Sequence, residues 1–473
     1  TEMPMMADLD FARPVWVALM PQSADAAPAE EEPKGVLVLP IKGKGQLLVE
    51  ALKTEMRVVT KGAWLIAVDK ELPDRLLKPH ARPFALPPHL DRLNDASDLF
   101  GTLRVAAYPE LLETGDDDPT LSSAPAAMRP ILSSIQRFQN AQVAEMEAVT
   151  IGAGVATDGI NAFVQVHPKP KTELARYGRA LENYDGPLIQ GLPIEDYLAV
   201  GGTRVPEDAK TNPLEDMLVG LLDSSDSLDA NVKKKARELK AIAQSDAKCS
   251  RYAMGISVAG SIDAMRMMAT SSCGSSAKLV EQLRKLAAWG ADVVTMLSEA
   301  EAGSPASKVS LRHEKQKLRI GKHALDVAKL DVPPEAVPAS DREAAMVLQQ
   351  PFVFGAIDPS TAILAWNAPE PMLRRLATAA EKNAPLELPA AAAARAQLSS
   401  PRHTESYLFA GPLVSAFAPA DVAGMLGPLR FLMAQMPPVA IAIQSQPDGS
   451  QLYQLYLPQQ LAQLAASMAQ MQR

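Results

Sequence analysis

The segment Ser275-Ser276-Ala277-Lys278 has the residue types and spacing that come closest to catalytic chemistry in this chain. In an S-x-x-K pattern at the start of a helix, the lysine lies one turn beyond the serine and can take its proton, which makes a nucleophile for acyl transfer. The companion K-T-G and S-D-N motifs are missing from the sequence. Serine hydroxyls at a helix start commonly accept backbone N–H groups, so we interpret Ser275 and Ser276 as N-caps. A serine hydrolase using Ser275 and Lys278 stays as an alternative function.

Three other patterns resemble known motifs but are incomplete. Gly255-Ile256-Ser257-Val258-Ala259 lacks the second glycine that the strained turn of a nucleophile elbow needs, so it predicts an apolar strand. Gly43-Lys44-Gly45 and Gly152-Ala153-Gly154 complete neither the dinucleotide-binding nor the P-loop motif. We therefore predict that both glycine pairs form turns.

The candidate metal-ligating histidines and the lysine cluster are interpreted as solvated surface residues. His313 and His323 would face each other across a hairpin at Gly321, but the lysines and arginines beside them repel a cation. We interpret this segment as a solvated strand face. Lys233-Lys234-Lys235 shares a helical pattern with Glu238 and is interpreted as a solvated helix face, with an anionic partner as the alternative. The sequence thus predicts no metal, no cofactor and no catalytic residue, and we expect the protein not to be an enzyme.

A methionine cluster is the candidate ligand surface. Met254, Met265, Met267 and Met268 lie close together in the sequence. Methionine is flexible and polarizable, so such a cluster supplies an adaptable apolar binding surface. We interpret the same four residues as ordinary core packing, with the ligand surface as the alternative.

Composition excludes several classes of protein. Hydrophobic residues make up 47% of the chain and charged residues 22%, as in average globular proteins, so disorder throughout is excluded. The formal net charge of −8 has the opposite sign to the basic field that binds nucleic acid. The sequence contains no run of about 18 uncharged apolar residues, which is the pattern that would predict a membrane-spanning helix. We therefore expect neither a nucleic-acid partner nor a transmembrane segment.

Proline follows strand-like runs at several places and precedes helical patterns. Because proline lacks an N–H and fixes φ, it ends a sheet ladder and suits the first turn of a helix. The first place is the strand-like Gly35–Leu39, followed by Pro40 and the helical pattern Gln46–Lys53. Leu103–Ala107 is followed by Pro109, and Ile160–Val166 is followed by Pro168 and the helical pattern Thr172–Leu181. Leu452–Leu457 is followed by Pro458 and the helical pattern Gln459–Gln470.

Glycines mark the turns between other strand-like runs. Lys61-Gly62, Gly321 and Asp448-Gly449 predict hairpins, because glycine accepts the positive φ of tight turns. The sequence therefore predicts an α+β fold of repeated strand-proline-helix modules, with mainly antiparallel sheets and helices on one face. A chain of 473 residues exceeds one ordinary core. We predict an N-terminal α+β module (1–115), a linker and helix (116–150), a middle α+β region (151–345) and a C-terminal α+β module (346–473).

Several segments resemble those of large exported bacterial proteins of unknown function, in which a strand, a proline turn, a helix and a hairpin recur. The segments are Ala12-Arg13-Pro14-Val15, GVLVLPIKGKGQLLVEAL, VVTKGAWLIAVDK, DGINAFVQV, LPIEDYLAVGG and PPVAIAIQSQPDGSQLYQLYLPQQLAQL. The resemblance implies a periplasmic or otherwise exported envelope protein with no assigned catalysis, and it transfers no site residues. The start at Thr1 agrees with a removed signal peptide.

The functional expectation is a non-enzymatic envelope scaffold, subunit or binding protein, with another envelope protein as its partner. The first alternative is a carrier that holds an apolar ligand between helices and a curved sheet. The second is a periplasmic hydrolase with the Ser275–Lys278 pair.

Cys249 and Cys273, which are the only cysteines, are predicted to form a disulfide. Ala253–Ala259 reads as a strand and Ile262–Ala269 as a short helix that turns the chain back. The loop spans 24 positions, so closing it stabilises the fold by roughly 3 kcal/mol. Intact mass spectrometry with alkylation, before and after reduction, checks the bridge. Two freely alkylated thiols in unreduced, denatured native protein would refute it and remove the main argument for export.

Overall fold

In the computed structural model, the described part of the chain comprises residues 8, 16–19, 35–70, 99–104, 140–156, 158–206, 230–243, 248–258, 264–300, 308–337, 346–347, 349–412 and 436–463.

Seventeen strands and six helices are named in this part of the chain. The strands are β1 Trp16–Leu19, β2 Gly35–Pro40, β3 Met56–Lys61, β4 Trp64–Asp69, β5 Leu99–Arg104, β6 Met146–Ala156, β7 Gly159–Pro168, β8 Tyr197–Arg204, β9 Cys249–Val258, β10 Met265–Cys273, β11 Ser310–Ile320, β12 His323–Asp331, β13 Phe352–Ala356, β14 Thr361–Trp366, β15 Thr404–Leu408, β16 Val439–Ser445 and β17 Gln451–Pro458. The helices are α1 Gln46–Lys53, α2 Glu173–Ala180, α3 Ala230–Ala243, α4 Ser276–Ala300, α5 Glu370–Lys382 and α6 Ala392–Ala396.

The strands form two antiparallel sheets. The small sheet has the order β1-β2-β4-β3, and the large sheet has thirteen strands in the order β11-β12-β13-β14-β10-β9-β8-β15-β16-β17-β7-β6-β5. Glycines at the three predicted hairpins have the positive φ that tight turns require, 58° at Gly62, 59° at Gly321 and 90° at Gly449. The predicted α+β class with mainly antiparallel sheets is therefore confirmed.

The strand-proline-helix pattern recurs where the structure describes it. Pro40 ends β2 before α1, Pro168 ends β7 before α2, and Pro458 ends β17 before the helical residues 459–463. Pro369 repeats the arrangement between β14 and α5, which the sequence analysis did not single out. The helix expected after Pro109 lies outside the described residues. Proline thus marks the change from sheet ladder to helix in this fold.

The two long helices that pack on the β11–β14 end of the large sheet cover opposite faces. Val280 of α4 packs in one cluster with Ala328 and Phe354. Val353, the neighbour of Phe354, belongs instead to the main core with Leu376 of α5. Adjacent residues of a strand point to opposite faces, so α4 and α5 enclose this end of the sheet between them. The expectation of helices on one face holds for the small sheet, where α1 packs on β3, but not here.

We call the face under α5 the inner face of the large sheet. Its core includes Leu192, Ala394 and Leu398, which come from the segments before β8 and around α6. The backbone of these segments is anchored as well, since the Thr270 hydroxyl of β10 donates to the Gln190 carbonyl at 2.8 Å. Short extended segments and helices together bury the inner face along the sheet.

Three local sequence predictions are wrong. Residues 265–269, predicted as part of the short helix Ile262–Ala269, belong to β10, which pairs with both β9 and β14. Gly152-Ala153-Gly154 is not a turn but lies inside β6. The predicted linker and helix, 116–150, gives way to β6 at Met146. In each case long-range ladder pairing overrides a local preference.

The large sheet also takes strands from both the predicted middle region and the predicted C-terminal module. β10 pairs with β14, and β8 pairs with β15. The ranges 151–345 and 346–473 therefore contribute to one sheet rather than to two.

A buried carboxylate fastens α4 to the sheet. Asp326 on β12 is 1% exposed and accepts hydrogen bonds from the Arg284 side chain at 2.7 and 3.1 Å, from the Gln316 N–H at 2.9 Å and from His313 Nε2 at 2.9 Å. Burial alone would raise the pKa of Asp326, but these donors outweigh it and lower the pKa to about 2. The ionised carboxylate is therefore a structural group.

Asp326→Asn is expected to lower the free energy of unfolding by about 3 kcal/mol at pH 7, because Arg284 loses its buried partner. The folded-state pKa of Asp326 lies below its ordinary value of 3.8, so its contribution, on the order of 2 kcal/mol, is present above pH 4 and is lost as pH falls towards 2. Urea unfolding at several pH values measures both effects.

The matched control is Asp331→Asn, because Asp331 pairs with an Arg312 side chain that is 74% exposed. An exposed pair of this kind contributes at most about 1 kcal/mol. A difference between wild type and Asp326→Asn that stayed constant from pH 7 to 2 would contradict the assignment.

Candidate functional site

The serine–lysine segment caps a helix in the structure. The Lys278 N–H donates to Ser275 Oγ at 3.4 Å, and the Leu279 N–H donates to the Ser275 carbonyl at 3.3 Å. The buried Ser276 hydroxyl donates to the Asp358 carbonyl. Ser275 is therefore the N-cap, whereas Ser276 donates to the turn before β14 instead of accepting a helix N–H, so its interpretation as an N-cap is wrong. Ser257 of the incomplete elbow is buried in β9, as expected for a strand.

His313 and His323 do not face each other. His313 lies opposite Ala328, and its Nε2 is 2.9 Å from Asp326. His323 Nε2 is 2.8 Å from Glu381. Within the described residues, no group of three or more histidine, cysteine, aspartate or glutamate side chains is placed to hold a metal ion.

The basic segment of α3 is partly structural rather than solvated. Lys235 is 18% exposed and binds Glu238 at 2.7 Å and Asp292 at 2.9 Å. The Trp289 indole N–H donates to the Lys235 carbonyl at 2.9 Å. These contacts attach α3 to α4.

The two cysteines are joined by a disulfide, as the sequence predicted. Cys249 at the start of β9 lies opposite Cys273 at the end of β10, and both are buried. The hairpin register, and not a returning helix, brings them together.

Strand alternation divides the methionine cluster between the two faces of the sheet. Met268 is fully buried in the main core on the inner face. Met254 is 47% exposed on the other face, and Met265 and Met267 are half-buried there. Three of the four candidates therefore share one surface, while Met268 is a core residue. The ligand role of those three stays a prediction.

That surface continues across the large sheet. We call it the apolar face, and it comprises the side chains that point away from the inner face on the strands between β6 and β10 in the sheet order, namely β6, β7, β17, β16, β15, β8, β9 and β10. Among the described residues of the large sheet, the exposed large apolar side chains lie on the apolar face, except that Phe352 lies on its continuation beside α4. They are Ile151, Val155, Val164, Tyr252, Met254, Phe352, Ile441, Tyr453 and Leu455. Sheet neighbours Ile151 and Val164 are 49% and 37% exposed, so the exposure is contiguous and not scattered.

Charge separates the two faces. On β6, no side chain of the apolar face between Val149 and Val155 is ionisable at neutral pH. The same holds for the side chains of this face on β15 (Thr404–Leu408), β16 (Val439–Ile443) and β17 (Tyr453–Leu457). On the inner face, by contrast, Glu405 is 2% exposed and accepts from the Arg402 guanidinium at 2.6 and 2.9 Å. The usual arrangement of a one-sided sheet, apolar within and polar outside, is therefore partly reversed.

Small side chains form a short groove, one row of residues long, at the middle of the apolar face. Gly201 and Ser406 lie opposite each other on β8 and β15, between the larger Met254 and Ile441 on the outer two strands. A Cβ on Gly201 would lie 2.4 Å from Ser406 Oγ, so only glycine keeps this floor low. Three strand spacings, about 14 Å, separate the two walls, which leaves room for one extended alkyl chain.

A small cavity opens at one end of this face. Its volume is about 120 Å³, and its lining includes Val166 and Tyr453 from the sheet and Leu174 and Tyr177 from α2. Burial raises the pKa of Tyr453, so its hydroxyl is neutral at ordinary pH. The methionine cluster does not line this cavity, which is too small to enclose a whole lipid.

Sequence reasoning missed the apolar face as a unit. The period-2 signal was present in Ile151-Gly152-Ala153-Gly154-Val155, where isoleucine, alanine and valine alternate with glycine. Alternation identifies two faces but does not say which one is buried.

Comparisons with known proteins give little further guidance. No family model matches the chain, and no curated protein matches it. A solved structure titled "Structure of crystal form III of TP0453" aligns with 56% of this chain and 76% of that chain, at 9% identity and a TM-score of 0.23. A likeness at this TM-score supports no conclusion about function. Among the helices that the structure describes, none is long and apolar enough to cross a membrane.

Ser275→Ala is expected to lower the free energy of unfolding by about 1 kcal/mol, because α4 loses an N-cap, whereas Ser275→Asp keeps the cap and the stability. Urea unfolding measures this difference. Native protein is expected not to turn over ester, amide or β-lactam probes. Turnover that disappears in both variants would instead establish Ser275 as a nucleophile.

Proposed function

We propose that this chain is a non-enzymatic, exported binding protein of the cell envelope that holds an apolar ligand against the apolar face. The observation that carries the proposal is the contiguous set of exposed, uncharged side chains across β6 to β10. The proposal takes up the apolar-ligand alternative of the sequence analysis, with the open sheet face in place of an enclosed cavity.

The contiguous apolar character of the face makes this binding energetically reasonable. Contiguous exposed apolar patches beyond a few hundred Å² are rare on monomeric proteins and mark interaction surfaces. Removing apolar surface from water stabilises a complex by about 25 cal/mol per Å². A ligand that covers roughly 200 Å² of the face therefore gains about 5 kcal/mol before the entropic cost of binding.

The chemistry of the ligand follows from the lack of charge. A phosphate or carboxylate placed on this face would lose water without gaining an ionic partner, which is costly. Ile441 and Met254, which border the groove, are 40% and 47% exposed and offer only dispersion contacts. An uncharged apolar chain or ring system suits them best.

The disulfide supports export. Bridges between cysteines persist in oxidising compartments and are rare in the cytosol of ordinary cells. Cys249 and Cys273 are the only two cysteines of the chain, and they pair with each other.

The test uses 1-N-phenylnaphthylamine, an uncharged probe that fluoresces in apolar sites. Native protein is expected to bind it, and Ile441→Asp and Met254→Asp are each expected to weaken the affinity at least tenfold, or about 1.4 kcal/mol. Ile194→Asp is the matched control, since Ile194 is 76% exposed outside the strands of the large sheet.

Probe binding that all three substitutions reduce equally would contradict the proposal, as would no binding by native protein. Sedimentation of the native chain at increasing concentration addresses the competing occupant. If the same two substitutions disrupt a stable dimer, the face is an interface between copies and the proposal fails.

A further inference from the structure

Successive rows of side chains across the apolar face become less polar from one end of the strands to the other. Strand register places Tyr453, Ile443, Thr404, Thr203, Tyr252 and Ser271 in one row across β17, β16, β15, β8, β9 and β10. All but Ile443 carry a hydroxyl group, and we call these five residues the hydroxyl row. The residues two positions along each strand, such as Leu455 and Met254, are mostly apolar.

The row beyond them is wholly apolar. It includes Leu408 and Ala199 at its centre, with Ile256 and Met267 beside them. The face is therefore uncharged throughout and amphipathic from one end to the other, which matches a molecule with a polar end and an apolar body.

Hydrogen bonding at the centre of the hydroxyl row determines which polar end fits. Thr203 Oγ1 donates to the His403 carbonyl at 3.2 Å, and the Thr203 and Thr404 hydroxyl oxygens are 2.8 Å apart. With the Thr203 proton committed to the carbonyl, the proton between the two threonines comes from Thr404. His403 Nδ1, 3.0 Å from Thr404 Oγ1, must then be the donor of that contact.

The state of His403 agrees with this assignment. The ring is 5% exposed, and burial lowers its pKa to about 4, so it is neutral and carries one N–H. Its Nε2 is buried without a hydrogen-bond partner, as expected of the nitrogen that lacks the proton. Both threonine protons are thus used, while each threonine oxygen keeps a lone pair.

We propose that the apolar face recognises an uncharged amphiphile whose polar end is a hydroxyl group, with that hydroxyl donating to Thr203 and Thr404 and the apolar body lying in the groove. An ether or ester end, which only accepts hydrogen bonds, finds no donor at this pair. A carboxylate finds neither a donor there nor a compensating charge. This inference rests on the proposed function and names its ligand class.

The experiment compares 1-dodecanol with dodecyl methyl ether, which has the same chain but no hydroxyl proton. Each displaces 1-N-phenylnaphthylamine from the full-length protein. The alcohol is expected to displace it at a concentration roughly three- to tenfold lower, the effect of one net hydrogen bond.

The variants assign that preference to the threonine pair. Thr404→Val keeps the shape of the side chain and removes one of the two acceptors, so it is expected to weaken the preference for alcohol, while Thr404→Ser retains the preference. Thr378→Val is the control, because Thr378 lies on α5 and donates to the Arg374 carbonyl at 2.9 Å. Equal urea midpoints establish that the variants are folded.

Each other outcome is decisive. Equal displacement by alcohol and ether, an alcohol preference that is unchanged in Thr404→Val, or tighter binding of dodecanoate overturns the hydroxyl inference and leaves the apolar ligand in place. If native protein binds no probe at all, the proposed function fails together with it. Binding to uncharged phosphatidylcholine vesicles with no displacement by free alcohol would identify a membrane surface and would also overturn the inference.

Discussion

The register between β8 and β15 is the constraint on which the rest of this structure depends. It pairs Gly201 with Ser406 and Gly202 with Glu405, across about two hundred positions of sequence. A shift by one residue would turn Glu405 onto the apolar face and Ser406 into the core. Glu405 is held against such a shift by the buried Arg402 at 2.6 Å and by Arg395 at 3.4 Å. This ion pair therefore acts less through its own stability than by fixing which side chains face outward.

The two ends of the large sheet differ in how the face opposite the inner face is covered. At the β11–β14 end, α4 packs over Phe354 and Ala328, and the one buried carboxylate there, Asp326, has a full set of donors. Further along, at β16 and β17, Ile441 and Leu455 stay about 40% exposed. Charge is thus present where a helix supplies partners and absent where the surface is open, as the cost of burying an unpaired charge requires.

The sequence was sufficient for features that depend on a few adjacent residues. The hairpins at Gly62, Gly321 and Gly449, the helix starts after proline and the cap at Ser275 all follow from local backbone chemistry. β10 was not recognisable, because its methionine, arginine and alanine residues favour a helix locally and only pairing with β9 and β14 makes them a strand. The hydroxyl row was beyond reach for the same reason, since register between distant strands sets its members side by side.

The open face also has a colloidal consequence. Two copies of the chain attract each other where Ile151, Val155 and Ile441 approach their counterparts, and the net charge of −8 opposes that attraction at long range. Salt screens this repulsion within about 10 Å but leaves the apolar attraction intact. The amount of chain that remains dispersed in solution therefore depends on ionic strength.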